Sequence, residues 1–237
     1  MTRTYGFPVP NWTPPPTPTG ETLQGRYARL EKLDGAAQAG DLFRSNAVTD
    51  EIWDYLPYGP FAAIEDYRAW LDTMSDSADP FFYAIKNLET GAFEGIASYL
   101  RIDPNGGAIE VGHINFSKPL QRTRAATETM FLMMKWAFDA GYRRYEWKCD
   151  ALNRGSRAAA QRLGLSYEGI FRQATVYKDR NRDTAWFAAI DKEWPALENA
   201  FQSWLAPSNF DDSGRQLQSL SSLTALVRVA SDPQLES

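Results

Sequence analysis

Residues 121–164 constrain this chain more than any other stretch. Met130, Phe131, Leu132, Met133, Met134, Trp136, Ala137 and Phe138 fall within one helical segment. A helix apolar around most of its circumference must be buried rather than laid on a surface. Its first turn differs, reading Gln121-Arg122-Thr123-Arg124-Ala125-Ala126-Thr127-Glu128. A strand over 143–149 follows, and Asn153-Arg154-Gly155-Ser156-Arg157 then opens a second helix that closes on Arg162-Leu163-Gly164. Asn153 occupies an N-cap position and Gly164 a C′ position. Both helix starts follow strands, about 30 residues apart. Helix starts present unbonded N–H groups and roughly half a positive charge, which suits an anionic or amide-rich ligand. Small residues such as Ala125 and Ala126 let a ligand approach, and two arginines suit phosphate. Taken singly, Asn153 and Ser156 read equally as a cap and a first-turn residue. The chain has no Gly-x-Gly-x-x-Gly and no Gly-Lys-Ser/Thr, so dinucleotide and P-loop sites lack their residues.

The rest of the chain supplies a sheet around this unit. Residues 25–33 alternate as a first strand, and Asp34 caps a helix over 36–46. An aromatic loop with two prolines, 52–61, reads either as a loop pinned by its rings or as a substrate-pocket wall using Trp53, Tyr55 and Tyr58. Ile64, Tyr67, Trp70, Leu71 and Met74 follow at helical spacing, as a core stripe. Phe81–Asn87, Phe93–Asp103 and Ala108–Phe116, joined by the turns Glu89-Thr90-Gly91 and Asp103-Pro104-Asn105-Gly106-Gly107, predict an antiparallel meander of the second to fourth strands. Strands over 165–177 and 184–190, joined through 179–182, and a helix over 192–205 complete the domain. The expected organisation is a proline-rich arm (1–20) packed on the domain through Phe7 and Trp12, a domain over 21–205, and a tail (206–237) that is partly helical, over 217–229, or disordered, with frayed ends.

Composition excludes several classes. Of 237 residues, 43% are hydrophobic and 14% aromatic, enough for a packed core. A net charge of −5 argues against a nucleic-acid surface. Cys149 is the only cysteine and His113 the only histidine, so neither a disulfide nor a zinc set is expected. No apolar run reaches the roughly 18 residues of a membrane span. With no signal-like N-terminus, a cytoplasmic protein with no nucleic-acid or membrane partner is expected.

These motifs resemble the GNAT N-acetyltransferase superfamily, in its ribosomal-protein-alanine acetyltransferase (RimJ/RimL-like) branch. The family's Arg/Gln-x-x-Gly-x-Gly/Ala falls on residues 121–126, followed by Ala126-Thr127-Glu128. Its Asn-x-x-Ser-x-x-x-x-x-x-Leu-Gly falls on Asn153, Ser156, Leu163 and Gly164. Glu110-Val111-Gly112, Tyr167-Glu168-Gly169 and Arg182-Asp183 also match, so the likeness spans about 24–195. It implies an α+β fold: a twisted, mostly antiparallel sheet splayed between the fourth strand (108–116) and the fifth (143–149), flanked by helices. It implies transfer of acetyl from acetyl-CoA to a primary amine, on a small molecule or a peptide N-terminus, by direct attack through a tetrahedral intermediate. The alternative is a module with this fold that binds acyl-CoA or a partner without transfer. Arg124 replaces the motif's central glycine and Arg122 stands at another position that is often glycine; either reads as gripping phosphate, leaning away, or obstructing.

The resemblance also implies roles. Gln121, Arg122, Thr123, Arg124, Ala125, Ala126 and Thr127 would hold pyrophosphate, Asn153 and Ser156 the pantetheine amides and thiol, and the backbone of 111–115 (Val111, His113) the acyl carbonyl. Ser156 would protonate the leaving thiolate. A lysine-like amine costs roughly 4–5 kcal/mol to deprotonate at pH 7, an α-amine about 1. Base candidates are Glu110 acting through water, then His113, Glu146 and Asp150. Strand alternation places Glu110 with Gly112 and Ile114, and His113 with Val111 and Asn115. Glu146 or Asp150 reads equally as a partner of Lys148. Cys149 reads as a small buried residue, since direct transfer needs no covalent nucleophile. No metal is expected. Oligomeric state is open, with a homodimer the candidate assembly.

Overall fold

The computed structural model describes residues 4–235, so the ends of both expected tails lie outside the described residues. Its centre is an eight-stranded sheet in the order β1-β2-β3-β4-β5-β6-β8-β7. The strands are β1 (Leu23–Gln24), β2 (Ala28–Lys32), β3 (Phe81–Asn87), β4 (Phe93–Asp103), β5 (Ala108–Phe116), β6 (Arg144–Asp150), β7 (Ser166–Tyr177) and β8 (Arg180–Ile190). All neighbours pair antiparallel except β5 and β6, which are parallel. The β3–β4–β5 meander has the bounds its alternation predicts.

Helices α1 (Gly35–Asn46) and α2 (Ile64–Ser75) cover one face, closing over Leu33, Phe82, Ala84 and Ile96 with Leu42, Tyr67 and Leu71. Asp34 caps α1 by accepting from Ala37 N at 3.1 Å. The opposite face carries α3 (Arg124–Asp139), α4 (Arg154–Arg162) and α5 (Trp194–Leu205) on Tyr99, Ile109, Val111, Tyr145 and Phe187. Thirty-five buried residues form that larger core, which is why α3 can be apolar on nearly every side. Gly164 ends α4 at φ +94°, and a Cβ there would meet Leu197 2.4 Å away, so the position needs glycine twice over.

Three details depart from the sequence expectation. The β7–β8 connection is two residues, Lys178 and Asp179, both at positive φ (47° and 57°), so β8 starts at Arg180 rather than after 182. In β5, Gly112 faces Ser98 but Asn115 faces Ile96, an extra residue that makes a bulge, and His113 takes φ +49° there. Strict alternation fails past that point. Ile114 packs with the α3-side core, whereas His113 stacks on Tyr58 and lies tilted against Phe82 on the α1/α2 side, the face Glu110 also uses.

The tail is the third departure. Its helix α6 spans only Leu220–Thr224, inside the expected 217–229, and the residues after it pack back onto α4. Arg157, 1% exposed, makes a bidentate pair with Asp232, 0% exposed, at 2.5 and 2.6 Å. Asp232 N also donates to Gln161 Oε1 at 2.7 Å, fastening the tail to α4. At the other end, the arm is held by Trp12 Nε1 donating to Asn105 O at 3.0 Å, while Phe7 stays exposed under Lys192. Among the described residues, no helix is long and apolar enough to cross a membrane.

Candidate active site

Both helix starts open on one cleft of about 1380 Å³. It lies where β5 and β6 part: their pairing ends at Val111↔Trp147, although β5 continues to Phe116 and β6 to Asp150. This is the splay expected between 108–116 and 143–149. Past Val111, β5 has no β6 neighbour, so backbone groups face the cleft in place of a ladder.

At the α3 end, Thr123 caps the helix, its Oγ1 accepting from Ala126 N at 3.0 Å, and Gln121 donates to Phe116 O at 2.9 Å. The amides of Arg124 and Ala125 have no intrahelical carbonyl to reach, because they belong to the first turn. Arg122 adopts φ +63°, the left-handed conformation glycine would take, so the backbone turn is kept at the cost of about 1–2 kcal/mol of strain. A left-handed residue before a helix start makes a concave set of N–H groups suited to an anion. Arg124 leans sideways: its guanidinium pairs with Glu89 at 2.5 Å and lies over the rings of Tyr27 and Phe210 at 4.7 and 5.1 Å. Arg124 thus lines the cleft without plugging it. Thr127 accepts from Arg162 Nη1 at 3.1 Å, and Glu128, one helical turn from Arg124, is structural: it accepts from the amides of Arg26, Tyr27 and Ala28.

At the α4 end, Asn153 Oδ1 accepts from Ser156 N at 2.9 Å, the cap its sequence position predicts, leaving its amide NH₂ toward the cleft it lines. Ser156 Oγ accepts from Trp147 Nε1 at 2.9 Å, which leaves its own O–H as a donor, with the Cys149 sulfur within its reach. Burial pushes the nearby Cys149 thiol up to about 11, so it is a neutral thiol.

The acid–base candidates separate clearly. Glu110, 3% exposed, sits 2.6 Å from Arg101 Nη1 and 2.8 Å from Lys148 Nζ. Burial raises its pKa, and Lys148 and Arg101 pull it partly back. Glu146 is the other partner of Lys148 at 2.8 Å and is further tied to Arg144. Desolvation of Glu146 is outweighed by those two cations, so its pKa is lowered. Asp150 does not pair with Lys148; it accepts from Tyr177 Oη at 2.9 Å and Leu152 N at 2.8 Å. The lysine side chain points across the sheet to Trp186, and Asp150 lies at the strand end under the β7–β8 tip. Desolvation, with Arg101 and Arg182 nearby, pushes His113 down to about 4, leaving a neutral ring whose Nδ1 lies 3.0 Å from Tyr58 Oη.

The aromatic loop divides. Tyr55 lines the cleft and donates to Leu152 O at 3.3 Å. Tyr58 stands behind His113 at 5.7 Å between ring centroids. Trp53 is 4% exposed in the α1/α2 core against Tyr58, Phe61 and Tyr67, so it pins the loop rather than walling the cleft. Sequence reasoning passed over Arg101, Trp147 and Tyr177, and the tail residues Phe210, Arg215 and Gln216 that line the α3 end. Parity along β6 gives a signal for Trp147; the tail residues have none. Among the described residues, no group of three or more His, Cys, Asp or Glu is placed to hold a metal.

A sheet parted between two parallel strands, with two helix starts facing the gap, defines an acyl-transferase type of fold. Residues 29–166 match the model of the acetyltransferase (GNAT) domain. A GCN5-related N-acetyltransferase from Brucella melitensis is 44% identical with TM-score 0.90, over 92% of this chain and 100% of that one. A GNAT-family protein from Chromobacterium violaceum is 39% identical with TM-score 0.77, over 83% and 99%. RimL, a ribosomal L7/L12 alpha-N-protein acetyltransferase, shares the fold at 19% identity and TM-score 0.62, over 76% and 99%. No curated protein matches the chain. The chain belongs to the GNAT acetyltransferase family.

Proposed function

We propose that the chain transfers an acetyl group from acetyl-CoA to a primary amine by direct attack, through a tetrahedral intermediate. The observation that carries this reading is the single cleft joining three things: the left-handed Arg122 turn, the Asn153 cap and the unpaired backbone past Val111. Their donor chemistry fits acetyl-CoA, which supplies an activated thioester when bound. Amides of Arg122, Arg124 and Ala125 bind pyrophosphate oxygens, and Arg122 adds charge. Asn153 bonds amide groups of the pantetheine arm. Backbone N–H past Val111 stabilises a developing oxyanion without reorganisation. Ser156, whose oxygen is already engaged by Trp147, directs its O–H to the leaving thiolate. Glu110 takes the amine proton through water, its raised pKa making it a better base than an ordinary carboxylate.

One observation favours the module that binds without transfer: Glu110 is held by two cations at 2.6 and 2.8 Å. Calorimetry with acetyl-CoA, followed by thiol release over an amine panel, separates the two. Binding with release supports the transferase; binding without release to any amine supports the module; no binding defeats both. Asn153→Ala should raise KM for acetyl-CoA more than it lowers kcat.

A further inference from the structure

Of the eight lysines and arginines that line the cleft, four have anions of their own. Arg101 and Lys148 share Glu110, Arg124 holds Glu89, and Arg215 holds Asp211. Arg182 differs. It lines the cleft from β8, partly buried, and its Nε is shielded from solvent with no hydrogen-bond partner. Among the described residues no carboxylate lies within 4.0 Å of it; its recorded neighbour is the Tyr177 ring, 5.7 Å from the guanidinium carbon. A guanidinium nitrogen shielded from water and left without a partner is costly unless a ligand supplies one. Its charge acts on His113 and Cys149, which places it beside the splay.

The surroundings limit the ligand further. The loop over 50–58 and the β7–β8 tip are joined there by Lys178 Nζ donating to Trp53 O at 2.8 Å, and each is tied to the end of β6 or the turn after it, Tyr177 Oη donating to Asp150 at 2.9 Å and Tyr55 Oη to Leu152 O at 3.3 Å. Ties that hold the walls at this end of the cleft in place suit a small molecule better than a folded chain that would have to part them. Glu110 and Glu146 answer Arg101 and Lys148, so Arg182 is the cation left here to favour an acceptor that also carries an anion. We propose that the acceptor is a small amine that also carries an acidic group, a carboxylate or a phosphate, bound by Arg182. This rests on the amine-acetyltransferase reading and narrows it.

Matched amines test it: glycine against glycinamide, aspartate against asparagine, and glucosamine 6-phosphate against glucosamine, each assayed by thiol release from acetyl-CoA. The readout is the ratio of kcat/KM within a pair, compared between wild type and Arg182→Gln, which cancels intrinsic amine reactivity. The expected result is a ratio favouring the acidic member of at least one pair. That ratio falls tenfold or more in Arg182→Gln, mainly through KM, and recovers in part in Arg182→Lys. Which pairs respond tells carboxylate from phosphate. A ratio unchanged by Arg182→Gln, in a variant with wild-type melting temperature and acetyl-CoA affinity, overturns the inference and leaves the transferase reading standing. If no amine is acetylated, calorimetry of the same amines on CoA-loaded protein decides. Arg182-dependent binding of an acidic amine upholds the inference while removing the transferase reading, and no such binding overturns it.

Discussion

Glu110 and His113 lie on one face of the sheet within reach of the same cleft, yet burial treats them oppositely. Desolvation disfavours the charged form of each, raising the carboxyl and lowering the imidazole. The stronger base at neutral pH is therefore Glu110. Glu110→Gln should lower kcat roughly 10²-fold or more with little change in KM for acetyl-CoA. The same substitution should abolish the acidic limb of the pH–rate profile, which in the wild type lies above the ordinary glutamate range because the base is lost as pH falls through a raised pKa. A profile that keeps its limb in Glu110→Gln would transfer the role elsewhere. His113 makes its own prediction through stability. Its folded pKa, about 4, lies below the unfolded value near 6.5, so its stabilising share is complete above about pH 6.5 and is lost as pH falls toward 4. The loss should be about 2–3 kcal/mol, with His113→Gln flattening that part of a denaturation-versus-pH curve. Equal pH dependence in both proteins would contradict it. Alternation in the sequence put His113 on the wrong face because a bulge in β5 is a one-residue insertion that side-chain pattern does not mark.

At the scale of elements, caps and turns were legible because each is a local event with its own residue chemistry. Asp34, Asn153 and Gly164 sit at the helix ends their residue types predict, whereas Thr123, read as part of the first turn of α3, is its N-cap. Non-local pairing was not legible. Nothing near Arg157 in the sequence announces Asp232, 75 residues on, and the polar composition of the tail resembles that of a frayed end. Yet the pair is fully buried and also engages Ala151 O at 2.7 Å, in the loop that delivers Asn153 to the cleft. Removing one partner leaves an uncompensated charge on α4. Asp232→Ala should cost about 3–5 kcal/mol in denaturant unfolding and weaken acetyl-CoA binding, because the α4 start loses its anchor. Unfolding within about 0.5 kcal/mol of wild type would show the tail to be a passive cover.

Over the whole molecule, the sheet is two ladders joined at one narrow seam. β1 to β5 with α1 and α2 form one side, β6 to β8 with α4 the other, and four residue pairs, Ala108↔Arg144 to Val111↔Trp147, join them. Beyond the seam the strands part, and α3 spans both sides through the larger core. A ligand seated in the gap touches β5, β6, α3 and α4 at once, so it adds contacts between halves that the ladder does not supply. Binding to the folded state alone stabilises by RT ln(1 + [L]/Kd), about 2.7 kcal/mol at one hundred times Kd. For a chain of this size that is a rise in melting temperature of about 5–11 °C. The rise should come with slower hydrogen exchange at 112–115 and 147–149, the strand ends that face the gap, and with little change in β2 and β3. Acetyl-CoA that shifted the melting temperature but protected only the α3 start would place the ligand on the helix alone, and the seam would then have no part in holding it.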